Sequence, residues 1–373
     1  MKIISLFNNK GGVGKSTLGF HLGCALGEMG KKVLLVDLDP QCNLTIHGMF
    51  EDELHRIWEE EDSYINDFEG SSKQAEFDEI IKKPRSIHFL LKPAEDGLSD
   101  IDKYPPPYSL FENVDLLPGR LSIHRYENRI AERWSSIYQS DNLGIRTITN
   151  IRRICEMYGE MYGYDYTIID TSPSLGTLNK TIISTVDGFL IPAQPDMFSL
   201  YGIRNIGSAL ELWKNEMDII FTLISIEKRK KFPEKFVQFI GYTIYNAKKR
   251  KNPNHAYDLA NAHYKYVEKI PEAVIEYIKE STRINIKEII NPIGNEAVML
   301  SHNTFASVAQ ALKCPMWMVP EMYEHYEQTI PDSLEDIIAD KPNSGHYEGY
   351  LKTKDAYIAF AEDFIKRVEV LNG

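Results

Sequence analysis

Apolar residues fall in short runs separated by stretches of helical periodicity. Ile3-Ile4-Ser5-Leu6-Phe7 is the first run, and Leu18, Leu22, Ala25 and Leu26 then recur at helical spacing. Gly30-Lys31-Lys32 turns the chain into Val33-Leu34-Leu35-Val36, a continuous apolar strand of the kind buried on both faces. Further strands are read at 114–119, 166–169, 187–196 and 239–245, with helical patterns at 144–158 and through Leu200, Ile203, Ile206, Leu210 and Trp213. Strands alternating with helices predict an α/β fold: a mostly parallel, doubly wound sheet with helices on both faces.

Two stretches depart from that rhythm. Residues 50–110 open with Glu51-Asp52-Glu53 and Glu59-Glu60-Glu61-Asp62, turn at Gly70-Ser71-Ser72 and stiffen at Pro105-Pro106-Pro107. Helices are expected at 52–60 and 74–82, in an inserted segment that is either a partner surface or a solvated excursion. After 246 the pattern loosens: helices are expected at 255–279 and 304–312, a short strand at 297–300, and buried packing at Pro315-Met316-Trp317-Met318-Val319-Pro320. At 355–371, Tyr357, Ala361, Phe364, Val368 and Leu371 share one face of an amphipathic helix. Its acids, Asp355, Glu362, Asp363 and Glu369, outnumber Lys366 and Arg367, so the helix is expected to dock on the core and not on anionic lipid.

Composition narrows the class. The 373 residues are 43% hydrophobic and 26% charged, an ordinary globular balance. The expected organisation is one domain over 1–373 with the 50–110 insertion and the 355–371 helix. No apolar run approaches the ~20 residues of a membrane span, and no leader-like segment precedes the first strand. Cys24, Cys42, Cys155 and Cys314 are far apart and read as reduced thiols in a cytoplasmic protein. The net charge of −12 argues against a generally basic nucleic-acid binder but leaves room for a local patch. Lys228-Arg229-Lys230-Lys231 reads as a solvated loop, and a second basic cluster, Lys248-Lys249-Arg250-Lys251, directly follows a strand.

The chemistry lies at strand ends. Between the first strand and helix stands Asn8-Asn9-Lys10-Gly11-Gly12-Val13-Gly14-Lys15-Ser16-Thr17. Glycines let such a loop curl with its N–H groups inward on phosphate oxygens, and the following helix aims its positive end there. Lys15 can reach terminal phosphates, and the Ser16 hydroxyl can ligate Mg²⁺. The second apolar strand ends in Asp37-Leu38-Asp39-Pro40-Gln41-Cys42-Asn43, and 166–169 ends in Asp170-Thr171-Ser172-Pro173-Ser174. Acids at such strand ends can act on Mg²⁺ and on an attacking water. Asn246, at the end of 239–245, is either an adenine-edge contact or a turn asparagine.

The loop lacks the usual first glycine, having Asn9 there, and carries Lys10 before the two glycines. It resembles the deviant Walker A box of the ParA/Soj/MinD family of P-loop ATPases, closest to the ParA-type partition ATPases. Asp-x-Asp-Pro-Gln-x-Asn, with Cys42 where glycine is usual, and Asp170-x-x-Pro173-Ser174 extend the resemblance, as do Gln194-Pro195 and Leu200-Tyr201-Gly202. It covers 1–49 and 114–246 well and the last third loosely.

The resemblance implies an ATP- and Mg²⁺-dependent ATP hydrolase that closes as a homodimer. Gly11, Gly12, Val13, Gly14, Lys15, Ser16 and Thr17 would bind the phosphates, with Asn246 at the base. Ser16, Asp37 and Asp170 would serve the metal, Asp39 the hydrolytic water, and Lys10 the partner subunit's ATP. It also implies non-specific DNA binding through Lys248, Lys249, Arg250 and Lys251, a ParB-like or other stimulating partner, no membrane, and a cytoplasmic or nucleoid-associated location. An alternative is an assembly or regulatory switch that uses the same cycle to recruit a protein. A MinD-like membrane positioner is disfavoured by the acidic tail, and an electron carrier of the nitrogenase-reductase kind by the absence of a cluster-binding cysteine pair.

Overall fold

A computed structural model describes residues 1–247, 257, 259–298, 305–326 and 344–372. Seven strands form one sheet in the order β3-β4-β2-β5-β1-β6-β7, with β1 Lys2–Leu6, β2 Val33–Asp37, β3 Tyr108–Phe111, β4 Val114–Leu117, β5 Tyr166–Asp170, β6 Gly188–Ala193 and β7 Gln238–Ile244. Every pairing is parallel except β3 with β4. All five residues of β2 and of β5 are buried, as their unbroken apolar runs require. The helix Lys15–Glu28 lies against this sheet with Gly19 and Gly23 facing Leu6 and Leu35. A Cβ at either glycine would fall within 2.7 Å of those side chains, so the close approach depends on their absence.

The register brings the chemistry together. Asp37 of β2 is directly opposite Asp170 of β5, and Asp170 is opposite Leu6, the last residue of β1 before the glycine loop. Three neighbouring strands therefore deliver the loop and two carboxylates to one edge of the sheet, where parallel α/β sheets place their ligands.

The inserted stretch is a packed layer and not a solvated excursion. The helix Ile87–Asp96 packs onto His124–Trp134 and Asn142–Tyr162, Glu51–Asn66 packs against Ile87–Asp96, and Tyr64, Phe68, Phe77 and Phe89 form a mostly edge-on aromatic cluster. The acidic run is split by helical geometry: Glu59 is exposed, while the Glu61 side chain is fully buried. Glu61 accepts from the Ser86 N–H and hydroxyl, both at 2.6 Å, and from Arg120 at 3.3 Å. The helix expected at 74–82 is a single turn, Phe77–Ile80, cut short before Pro84. The strand β3 has no counterpart in the sequence reading. It is four residues long and returns to β4 through Asn113, whose φ of 64° makes the tight turn.

Arg120 ties this layer to the sheet edge. Its guanidinium donates to the Trp58 carbonyl at 2.9 Å and pairs with Glu61 and Asp62. Trp58 Nε1 in turn donates to the Gly119 carbonyl at 3.1 Å. Arg120→Ala is expected to destabilise the fold by about 3 kcal/mol, the range for stranding one partner of a buried ion pair. Urea unfolding of the two proteins measures it, and a loss below about 1 kcal/mol would contradict this account.

The last third closes over the glycine-loop helix. The helix Ser344–Glu369 begins earlier than the amphipathic pattern and packs on Lys15–Glu28. Tyr357, Phe360, Ala361, Phe364 and Val368 are buried, so the expected docking on the core is what the structure contains. Arg367, counted among the charges of this helix in the sequence, is 2% exposed and donates to the carbonyls of Ile240, Glu288 and Asn291. Of the expected 255–279 helices, Asn261–Val267 and Ile270–Tyr277 form, and 304–312 is the helix Phe305–Ala311. Of the strand expected at 297–300, 297 and 298 are in turns and the rest lies outside the described residues. Among the described residues no helix is long and apolar enough to cross a membrane.

Candidate phosphate-binding site

The loop between β1 and Lys15–Glu28 turns through left-handed glycines, Gly12 at φ 72° and Gly14 at φ 79°. Gly14 is further constrained because a Cβ there would meet the Tyr245 ring at 2.3 Å. Asn8 pins the base of the loop: its amide donates to the Pro192 carbonyl at 2.7 Å, and its Oδ1 accepts from the Lys10 N–H at 3.0 Å. Gln194, at the end of β6, bridges the loop by donating to the Gly12 carbonyl at 2.8 Å and accepting from Lys10 Nζ at 2.8 Å.

A cleft of about 500 Å³ opens above this loop, lined by Gly11 to Thr17, Asp39 and Asn246 among the residues expected from sequence. The Val13 side chain is buried, so it offers the cleft its backbone. Asp37 and Asp170 lie beneath the lining. Ser16 Oγ donates to Asp170 Oδ2 at 2.5 Å, while Asp170 Oδ1 is buried with no hydrogen-bond partner among the described residues. Asp37 Oδ2 accepts from the Thr45 N–H at 2.8 Å and hydroxyl at 2.7 Å, and its Oδ1 accepts from the Asp39 N–H at 3.1 Å. Asp39 Oδ1 accepts from the Gln41 N–H at 2.9 Å, which fixes the strand-end turn. Cys42 sits in that turn at φ 53°, which accounts for glycine being usual there in the resembled family.

Electrostatics mark the same place. Burial, with repulsion from Asp170 added, pushes the Asp37 carboxyl well above the ordinary range. Burial raises Asp170 as well, against the Ser16 hydrogen bond and the Lys15 charge. Burial lowers Lys15, offset by Asp170 and Asp39. A buried Asp-Asp pair at a strand edge, with one oxygen unpartnered and a hydroxyl beside it, has the hard-oxygen donor set that suits Mg²⁺. The loop N–H groups and Lys15 suit a polyphosphate.

Lys10 is on the loop but bonded within its own chain, where its ammonium pairs with Asp196 and lies 5.9 Å from the Phe198 ring centre. Lys248, Lys249, Arg250 and Lys251 lie outside the described residues. Lys228, read as solvated, donates to the Ser140 hydroxyl at 3.0 Å.

Several lining residues were not foreseen as site residues: Gln41, Asn43, His47, Pro173, Tyr245, Ala306, Ser307 and Gln310. Gln41, Asn43 and Pro173 belong to the quoted motifs, so their spacing was an available signal. His47, one helical turn beyond Asn43, had only that periodicity. Ala306, Ser307 and Gln310 had none, being far along the chain in a stretch without a motif.

Residues 1–223 match the family model described as AAA domain. Over 218 residues the chain is 30% identical to an uncharacterized protein, MT1749, of Mycobacterium tuberculosis, across 58% of this chain and 54% of that one. It is 27% identical over 217 residues to the sporulation initiation inhibitor protein Soj of Bacillus subtilis, across 58% of this chain and 68% of Soj. The chain thus spans about half the length of the mycobacterial relative. Its fold resembles that of pNOB8 ParA solved with nonspecific DNA, with a TM-score of 0.53, 18% identity, and coverage of 99% of this chain and 98% of that one. With more than half its length matched, the chain belongs to the AAA domain family, and its sequence and fold are similar to those of ParA-type proteins.

Proposed function

We propose that the protein is an ATP-driven switch of partition type, which pairs with a second copy when ATP is bound and then holds DNA without regard to sequence. The observation that carries this reading is the juxtaposition at one sheet edge. There a glycine loop bearing two lysines, Lys10 and Lys15, meets Ser16, Asp37 and Asp170, with Asp39 on the cleft wall. Gly11 to Thr17 would bind the phosphates and Asn246 the base side. Ser16, Asp37 and Asp170 would hold Mg²⁺, which when bound supplies charge neutralisation on the terminal phosphates.

Asp39 would orient a water for attack on the γ-phosphorus. The bond to the β,γ-bridging oxygen breaks, and ADP and phosphate leave. Lys10 would act on the ATP of the second copy, stabilising charge that builds on the departing oxygen. Lys248, Lys249, Arg250 and Lys251 would provide the DNA contacts, doubled by pairing, and a ParB-like partner would stimulate turnover. We read the chain as one ATPase domain in which the 50–110 segment is a family-atypical layer.

Co-sedimentation with DNA at low and moderate salt, in ATP, ADP or no nucleotide, tests the reading. Salt-sensitive retention only with ATP, lost when the four residues Lys248 to Lys251 are neutralised, is the expected result. ATP hydrolysis with no DNA retention in any state would overturn the partition reading. It would favour the protein-recruiting switch, for which the net charge of −12 already speaks.

A further inference from the structure

The cleft has a wall that the phosphate chemistry does not use. The helix Phe305–Ala311 contributes Ala306, Ser307 and Gln310 to the lining, residues three and four apart on one helical face. That helix lies well beyond residue 223, where the family match ends. It is braced against the helix Asn43–Gly48: the segment after it sends Lys313 Nζ to the Ile46 carbonyl at 2.8 Å, and the next residue, His47, lines the cleft.

His47 is the second observation. It is 5% exposed, its ring stacks on Phe20 with centres 5.4 Å apart, and its Nε2 is 3.2 Å from Thr17 Oγ1. Its Nδ1 is buried with no hydrogen-bond partner among the described residues. A buried ring nitrogen without a partner is unfavourable, and in a residue that lines the cleft a ligand can supply the missing partner. Burial, reinforced by Lys313, pushes the imidazole down to about 4, so at neutral pH it carries one N–H and one acceptor nitrogen.

Asn246, at φ 61°, and Tyr245 also line the cleft. Asn246 and Gln310 are carboxamides outside the strand-end aspartate motif to which the other two lining carboxamides, Gln41 and Asn43, belong. Each presents a donor and an acceptor together, the combination that pairs with the N6 amine and ring nitrogens of adenine.

We infer that Gln310 and His47 form the nucleoside subsite of the cleft. Gln310 reads the purine edge from a helix outside the family-matched region, and His47 holds a sugar oxygen beside Thr17. The inference rests on the phosphate-site reading above. It makes the last third of the chain part of the nucleotide site, so that affinity for the whole nucleotide exceeds affinity for its phosphates alone.

Titration calorimetry with Mg-ATP, Mg-GTP and Mg-tripolyphosphate separates the two readings. The variants are Gln310→Met, which keeps the side-chain volume and removes the amide, and His47→Phe, which keeps the ring stacked on Phe20. Each is expected to bind ATP about tenfold more weakly while tripolyphosphate affinity stays within twofold, the scale for losing one hydrogen bond to a ligand. Gln310→Met is also expected to narrow the difference between ATP and GTP. ATP affinity within twofold of the parent in both variants would overturn the inference and leave the phosphate site intact. Failure of the parent protein to bind either ATP or tripolyphosphate would overturn the phosphate-site reading and the inference with it.

Discussion

Lys15→Ala is expected to abolish measurable ATP hydrolysis and to weaken ATP binding by about a hundredfold or more. The side chain is only 6% exposed, and its ammonium is 3.5 Å from the Asn8 carbonyl and close enough to Asp170 and Asp39 to feel both charges. Burial already disfavours its charged form, so a charge held there is poorly solvated and has much to gain from an anionic ligand. Removing it leaves three carboxylates, Asp37, Asp39 and Asp170, with no cation of the loop among them, and a triphosphate would then meet net repulsion. Calorimetric titration with ATP measures the binding, and phosphate release measures the turnover. A variant that bound ATP within threefold of the parent would contradict the assignment of the loop.

Lys10→Ala has the second large effect, and of a different kind. ATP affinity is expected to stay within a few-fold, while turnover falls by about 10²–10³, the cost of removing one preorganised charge from a transition state. The structure explains why such a residue could be silent in an isolated chain. Lys10 is held by Asp196 and Gln194, 21% exposed, at the rim of the cleft and not inside it. To act on a second copy's nucleotide it must exchange those partners. Because the Asp196 pair is partly exposed, holding Lys10 there is worth little and the exchange is inexpensive. Normal turnover by a Lys10→Ala protein that still pairs with a second copy would contradict the role.

How far the sequence alone reaches depends on where chemistry coincides with local pattern. The strands β2 and β5 are unbroken apolar runs ending in aspartate, so their burial and their carboxylates were both readable. The glycine loop was readable because glycine at a left-handed φ, followed by Lys-Ser, answers to one ligand chemistry. What escaped is long-range. The acids at 59–62 look alike in sequence, and only the packing of Arg120 and Ser86 makes Glu61 a core residue while Glu59 stays in water. Arg367 reads as a surface charge until three carbonyls from distant parts of the chain converge on it. Gln194 was read as part of a structural strand end, yet its amide joins Gly12 and Lys10 across more than 180 residues of chain. Gln310 and His47 are site residues by tertiary position alone, since no spacing links one to the other.

The insertion shows the same limit in the energetic direction. Its acidic composition suggested a solvated excursion, but the aromatic cluster of Tyr64, Phe68, Phe77 and Phe89 is spread over 25 residues at irregular spacing and becomes a core only once the two helices fold against each other. Through Trp58 and Gly119 that core is continuous with the cleft. The Gly119 N–H donates to Thr45 Oγ1 at 2.8 Å, and Thr45 donates to Asp37. The 50–110 segment is thus wired to one of the two strand-end carboxylates.

The central claim is that ATP, and not ADP, joins two copies of this chain. Sedimentation velocity with Mg-ATP, Mg-ADP or no nucleotide, using an Asp39→Ala variant to slow hydrolysis, tests it most directly. The account predicts a dimer with ATP and a monomer in the other two conditions. A monomer at saturating ATP, or a dimer indifferent to nucleotide, would contradict it.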